Sequence, residues 1–272
     1  MSRTLAIIGV GNMAKAIISG IVTLHEAVSE IVVYDKSTTQ YADLPTDFGI
    51  AFRYASSVAE AVTLADSVLL SVKPQNYDEV LAEIRTVEQH ASRLYISIGA
   101  GITVSSVSEK LSGACVIRVL PNVPMIIGQG VSVICENDAA SKEDFAFVCS
   151  VFRCAGSIVL IQECEMNRMI GVTSSSPAYV FQFINAIYQG ALAQGLSDRD
   201  LLGAICDVVI GSAQLLKQSN DSPEALIAKV ASKGGTTERA LAVLQEYRFD
   251  EAVNRAMQAC TKRADQLGAD KK

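Results

Sequence analysis

The chain contains only two histidines, His25 and His90, and no Cys-x-x-Cys pair. Its seven cysteines (Cys115, Cys135, Cys149, Cys154, Cys164, Cys206 and Cys260) are odd in number and irregularly spaced. These features argue against a zinc site and against a disulfide framework. The thiols read instead as small buried hydrophobes in a reducing compartment, and no metal is expected. Lysines and arginines nowhere cluster, and the formal charge is -6, so a nucleic-acid partner is not expected. No apolar stretch approaches the roughly 20 residues that a membrane helix requires. The early apolar run at residues 5–10 is too short for a signal-peptide core and ends in glycines. The expectation from these absences is a cytoplasmic protein with no membrane partner.

What is present is ample material for cores: half of the 272 residues are hydrophobic and 19% are charged. That length suits two domains. Up to about residue 160, short β-branched runs at 4–8, 30–34, 67–72, 94–98, 115–119, 131–135 and 157–160 alternate with helix-like stretches at 13–24, 58–64, 77–88 and 142–154. Continuous apolar strands alternating with helices predict a mostly parallel sheet covered on both faces.

The rhythm changes after residue 162. Only helical patterns follow, at 177–196, 198–218, 223–230, 237–246 and 250–267. The expected division is therefore 1–161, an α/β domain, and 162–272, an all-helical domain. The 198–218 segment is apolar around most of its circumference, with Leu201, Leu202, Ile205, Val208, Val209 and Leu215 among its residues. A helix of that kind needs cover on several sides. A second subunit is one source of cover; a central position in a monomeric bundle is the other.

The first strand runs into Gly9-Val10-Gly11-Asn12-Met13-Ala14, which fits Gly-x-Gly-x-x-Gly/Ala between a strand and a helix. Gly9 would make the tight turn, Gly11 would admit a pyrophosphate, and small Ala14 would keep helix and sheet close. The unpaired N–H groups at the helix start favour the phosphate charge. A Rossmann-type doubly wound sheet binding a dinucleotide is the resulting expectation. The second strand ends at Asp35, which suits the ribose hydroxyls of NAD. Lys36, Ser37 and Thr38 follow and suit a 2′-phosphate instead, so NADH and NADPH both stay open. Lys73 and Pro74 fall at the carboxyl edge of the 67–72 strand, where ligands of such sheets bind.

Taken together, several blocks resemble the pyrroline-5-carboxylate reductases. They are Gly9-x-Gly11-Asn12-Met13-Ala14-x-Ala16-Ile17, Val72-Lys73-Pro74-Gln75, Arg118-Val119-Leu120-Pro121-Asn122-Val123-Pro124, Ser175-x-Pro177-Ala178-Tyr179-Val180-Phe181 and Ser232-Lys233-Gly234-Gly235-Thr236-Thr237. Their order and separation match along essentially the whole chain. The resemblance implies NADH- or NADPH-dependent reduction of 1-pyrroline-5-carboxylate, a small-molecule substrate, to L-proline. It also implies a homodimer through the helical domain, with higher assemblies common. In that family the active site forms between the nucleotide domain of one subunit and the helical domain of its partner.

Carried over residue by residue, Ile8, Gly9, Gly11, Asn12, Met13 and Ala14 would hold the pyrophosphate. Asp35 and Lys36, by their own place after the second strand rather than by the resemblance, would meet the adenosine ribose. Ser71, Val72, Lys73 and Pro74, with Ile98, Gly99 and Ala100, would line the path to the nicotinamide, near Pro121 and Asn122. Ser232, Lys233, Gly234, Gly235, Thr236 and Thr237 would bind the substrate carboxylate, with Asn122 also near the substrate and the Thr237 hydroxyl at the ring nitrogen. The chain departs from the family where Ser174 and Ser176 replace glycines, and a positive φ at either would strain the backbone. Leu120 replaces methionine and Lys233 replaces proline. Two other readings remain. One is a reductase of another imine or a small hydroxy acid, with Lys217 or Lys229 as proton donor; the other is a non-catalytic dinucleotide binder.

Overall fold

The computed structural model describes residues 2–22, 27–42, 44, 49–137 and 139–269; His25 and the end of the helix expected at 13–24 lie outside them. Eight strands make one sheet: β1 (Arg3–Ile8), β2 (Val28–Tyr34), β3 (Ala51–Tyr54), β4 (Ser67–Leu70), β5 (Leu94–Ser97), β6 (Val116–Leu120), β7 (Gly130–Cys135) and β8 (Gly156–Ile161). Their order is β3-β2-β1-β4-β5-β6-β7-β8. All neighbours run parallel except the antiparallel β6–β7 pair. The chain starts mid-sheet and winds first one way, then the other, so the switch point of the topology falls between β1 and β4.

Among the described residues six helices cover the sheet: α1 (Asn12–Val22), α2 (Val58–Leu64), α3 (Tyr77–Ile84), α4 (Val104–Lys110), α5 (Lys142–Arg153) and α6 (Glu163–Met169). Ser57, Thr103 and Ser141 cap three of them, each hydroxyl accepting a backbone N–H of the first turn. Because side chains alternate along a strand, Leu5 and Ile7 face one core with Ile17, Ile21 and Phe152. Ala6 and Ile8 face the other, with Val62, Val80, Leu81 and Ile84.

The strand register sets the level of the sheet's carboxyl edge. Tyr34 pairs with Ile8, Ile8 with Leu70, Leu70 with Ser97, and Ser97 with Arg118. These five residues form one row across β2, β1, β4, β5 and β6. Arg118 is 1% exposed. Its Nη2 donates to Asn167 Oδ1 at 2.6 Å, and Asn167 Nδ2 donates to Asp265 Oδ1 at 2.7 Å. Glu163 Oε1 lies 3.8 Å from Arg118 Nη1 and accepts the Val104 N–H at 2.7 Å. A buried guanidinium is tolerable only when paired in this way.

After α6 the helix widens to a π turn over Ile170–Ser174, closed by the Ser175 N–H donating to the Ile170 carbonyl at 2.8 Å. Then come α7 (Ser176–Ala193), α8 (Leu201–Gln218), α9 (Pro223–Val230), α10 (Thr236–Glu246) and α11 (Phe249–Ala269). The contacts divide the chain into one unit of Met1–Ser175 with Gln258–Lys272 and a second of Ser176–Met257. This differs from the expected boundary at 161/162. Met166 and Ile170 pack with Leu120, Val133, Cys135 and Ala264, so α6, the π turn and the end of α11 belong to the core of the sheet unit. In the second unit α7 and α8 expose much apolar surface: Phe181 is 60% exposed and Val208 66%. By length and composition α8 is apolar enough to cross a membrane, a test that core helices of soluble proteins also pass.

The return of α11 depends on two glycines. Gly101 has φ +77°, and a Cβ there would stand 2.5 Å from the Ala264 carbonyl oxygen; a Cβ on Gly268 would stand 2.6 Å from the Gly101 oxygen. Gly101→Ala is expected to destabilise the fold by about 2–4 kcal/mol. Gly113→Ala, at φ +84° with open space around it, should cost only about 1 kcal/mol. Urea denaturation of the two variants checks the difference, and equal losses would contradict the close approach.

Candidate functional site

The site is built at the carboxyl edge of the sheet. Three hydrogen bonds carry the ladder past the strand ends: Gly9 N–H to Tyr34 O at 2.8 Å, Ser71 N–H to Ile8 O at 2.9 Å, and Ile98 N–H to Leu70 O at 3.3 Å. They hold the loops after β1, β4 and β5 at one level. Gly9 has φ +91°, and a Cβ there would meet the Ser71 oxygen at 2.8 Å and Val72 Cγ1 at 2.9 Å. Only glycine permits that turn. A Cβ on Gly11 would meet nothing within 4 Å, so the loop is open to a ligand. Asn12 starts α1, whose first N–H groups have no helical partner. Ala14 is fully buried and lets α1 lie close to the sheet.

Two cavities open along this edge. One, of about 400 Å³, is bordered by Ile8, Gly9 and Gly11 on one side and by Asp35, Lys36 and Glu79 on another. The other, of about 300 Å³, is bordered by Met13 and Pro74, by Ile98, Gly99 and Ala100, and by Pro121 and Asn122. Ser71, Val72 and Lys73 line both, so the two are adjacent across the loop after β4. The first unit thus gathers the residues expected at the nucleotide, with Ala14 behind them in the core.

Asp35 turns back onto the glycine loop. Its Oδ2 accepts the Val10 N–H at 2.7 Å and its Oδ1 accepts the Ser37 N–H at 2.9 Å. Lys36 Nζ pairs with Glu79 Oε1 at 2.5 Å. Asn122 is 5% exposed and both ends of its amide bond to the protein. Nδ2 donates to the Thr173 carbonyl at 3.1 Å and Oδ1 accepts the Val131 N–H at 2.8 Å. It therefore ties the π turn to β7, a role that the resemblance did not supply. Within the π turn Ser174 lines the smaller cavity, and its buried Oγ has no hydrogen-bond partner. Neither Ser174 nor Ser176 has a positive φ, so the serines bring no backbone strain.

The second unit holds the loop Ser232–Gly235 and the start of α10. Gly234 has φ +74°, and its N–H donates to Glu238 Oε2 at 2.7 Å. The Gly235 N–H donates to the Ser232 carbonyl at 2.9 Å. Gly235 is the N-cap and no side chain caps the helix, which leaves the first N–H groups of α10 available to an anion. Thr236 and Thr237 are its first two residues. Elsewhere His90 Nδ1 contacts the Val87 carbonyl at 2.9 Å, a local structural bond. Lys229 pairs with Asp221.

These residues suit a dinucleotide. The open Gly11 loop and helix start fit a pyrophosphate, Asp35 retains free acceptor sites for ribose, and the unpartnered Ser174 Oγ marks polar demand in the inner cavity. Comparison with known proteins agrees. Residues 163–267 match the family model for pyrroline-5-carboxylate reductase dimerisation, and residues 4–101 match that for NADP oxidoreductase, coenzyme F420-dependent. The pyrroline-5-carboxylate reductase of Escherichia coli is 35% identical over 269 residues, covering 98% of this chain and 99% of the relative. That of Synechocystis is 32% identical over the same shares. Among solved structures, a Plasmodium falciparum pyrroline carboxylate reductase with NADP bound has a TM-score of 0.88 at 26% identity, covering 98% of each chain.

Sequence reasoning missed Tyr77. Its hydroxyl donates to the Leu70 carbonyl at 3.0 Å, lies 3.0 Å from Ser97 Oγ, and accepts the Gly99 N–H at 3.0 Å. It thereby fixes the Ile98–Ala100 side of the inner cavity. A tyrosine in the first turn of an amphipathic helix gives no sequence signal of such a network. Burial pushes its phenol up to about 12. The unfolded chain loses this proton near pH 10 and the folded one near 12, so stability falls as pH rises through that window. Tyr77→Phe is expected to cost about 1–3 kcal/mol at neutral pH, to weaken cofactor binding several-fold and to lessen the alkaline loss. Urea melts at pH 8 and pH 11 with a cofactor titration check this; an unchanged alkaline slope would contradict it.

Proposed function

Since the chain belongs to the pyrroline-5-carboxylate reductase family, we propose that it reduces 1-pyrroline-5-carboxylate to L-proline with NADH or NADPH. One observation carries the reading beyond the family match. The cavity beside Gly99, Pro121 and Asn122 has Lys73 as the only ionisable side chain among its described lining residues. Such a cavity offers no thiol, and no carboxylate or imidazole base to activate its serines. It suits a substrate that is already electrophilic, which a cyclic imine protonated on nitrogen is. The bound dinucleotide supplies the hydride, and the protein contributes position and the exclusion of water.

Three groups of residues divide the work. The Gly9–Ala14 turn holds the pyrophosphate at the start of α1. Ser71–Pro74 and Ile98–Ala100 shape the passage inward, with Pro121 and Asn122 at its end. Ser232–Thr237 takes the substrate carboxylate on backbone N–H groups, and the Thr237 hydroxyl hydrogen-bonds the ring nitrogen as it changes from imine to amine. Lys233 adds a positive charge at this loop and Glu238 a negative one. A substrate carboxylate must displace Glu238 to use the Gly234 N–H.

The exposed apolar faces of α7 and α8 support a homo-oligomer, and we place its dimer contact on this helical unit. A second copy covers those faces, as the match of residues 163–267 to a dimerisation domain suggests, and the assembly works in the cytoplasm. No observation favours a hydroxy acid substrate, since Lys229 is already paired. The ordinary φ at Ser174 and Ser176 removes the strain that would favour a non-catalytic binder.

Absorbance at the reduced nicotinamide band, with and without 1-pyrroline-5-carboxylate, tests the activity; cofactor binding without substrate-dependent oxidation would overturn it. Thr237→Val is expected to lower kcat by about a hundredfold with an unchanged circular dichroism spectrum. Full turnover in that variant would remove Thr237 from the chemistry. Glu238→Gln, by removing the competing charge, should lower KM by roughly threefold and leave kcat alone.

A further inference from the structure

We propose that this chain selects NADH over NADPH, and that Asp35 and Glu79 make the selection. The inference rests on the reading of the larger cavity as the adenosine end of a dinucleotide site. Asp35 is clamped there on both oxygens, Oδ2 by the Val10 N–H at 2.7 Å and Oδ1 by the Ser37 N–H at 2.9 Å. A carboxylate has about four acceptor sites. Two are filled by backbone, and the other two match the two hydroxyls of a ribose. The same clamp prevents Asp35 from swinging aside for a 2′-phosphate.

Among the described residues beside it, Lys36 is the cation that would welcome that phosphate, and it is already matched. Its Nζ is bonded to Glu79 Oε1, and the Glu79 and Glu83 charges both raise its pKa, behind the hydrogen bond to Glu79 as the largest cause. Glu83 itself accepts the Ala59 N–H at 3.2 Å. Among the described residues lining this cavity the carboxylates are Asp35, Glu79 and Glu83, and the cations are Lys36 and Lys73. Lys73 also lines the inner cavity and so stands toward the pyrophosphate. The adenosine end is left with three carboxylates against one lysine. The hydroxyls of a ribose donate to such a surface; a phosphate of nearly two negative charges is repelled by it.

The test is direct binding, without substrate. NADH and NADPH are titrated into the purified protein and followed by nicotinamide fluorescence or calorimetry at low salt. The dissociation constant for NADH is expected to be lower by about tenfold or more, and the gap should narrow as salt screens the charges. Glu79→Gln, at an exposed side chain, should tighten NADPH several-fold by freeing Lys36. Asp35→Asn should weaken NADH and so close the gap further. Equal or tighter binding of NADPH by the natural protein would overturn the proposal. A gap unmoved by either substitution would remove Asp35 and Glu79 from the selection. Because no turnover is measured, a protein that fails to reduce 1-pyrroline-5-carboxylate still answers this question.

Discussion

The geometry of the candidate site depends on a parallel hydrogen-bond ladder that runs one residue beyond its strands. Gly9, Ser71 and Ile98 each donate to the last carbonyl of the neighbouring strand, so three loops leave the sheet at one height. The row Tyr34, Ile8, Leu70, Ser97 and Arg118 sits just below them. Ser97 and Arg118, buried polar residues in that row, bond to Tyr77 on one side and, through Nη2, to Asn167 on the other, while the Arg118 Nε has no partner. Most polar groups of this edge are paired within the protein, so a ligand meets preformed donors and acceptors.

Such a site contains few reactive side chains. In the first unit its parts are backbone N–H groups at the start of α1, the Asp35 carboxylate and the Ser174 hydroxyl. For hydride addition to an activated imine, placement supplies most of the catalysis. Such placement needs no triad and no metal cluster, and among the described residues no group of metal ligands stands out.

The sequence made the sheet and the nucleotide loop legible because they depend on local signals. Apolar runs marked seven strands, and the glycine pattern between a strand and a helix marked the turn. β3 was not visible: Ala51–Tyr54 is an edge strand with no buried residue, so nothing in its composition separates it from a loop. α4 escaped as well, since its serine-rich turn buries only Val107. The π turn at Ile170–Ser174 is set by tertiary packing against the sheet, and the substitutions at Ser174 and Ser176 gave no hint that their φ values are ordinary. The contact units divide elsewhere than the change of rhythm does, for a related reason. A change of rhythm reports secondary structure, while membership of a core is decided by contacts such as those of Met166, Ile170 and Ala264.

The course of α11 has a consequence for how the protein is made. This helix begins in the second unit, and from Gln258 its residues belong to the first. Ala264, near its end, is buried against residues of β6 and β7, and Gly268 touches the loop after β5. On a ribosome the strands of the sheet would emerge well before their closing piece, the residues near 265. Contacts between residues near 100 and residues near 265 raise contact order. Until the residues near 265 arrive, Leu120, Val133 and Cys135 lack part of their cover, and incomplete cores of this kind are where growing chains are exposed to aggregation.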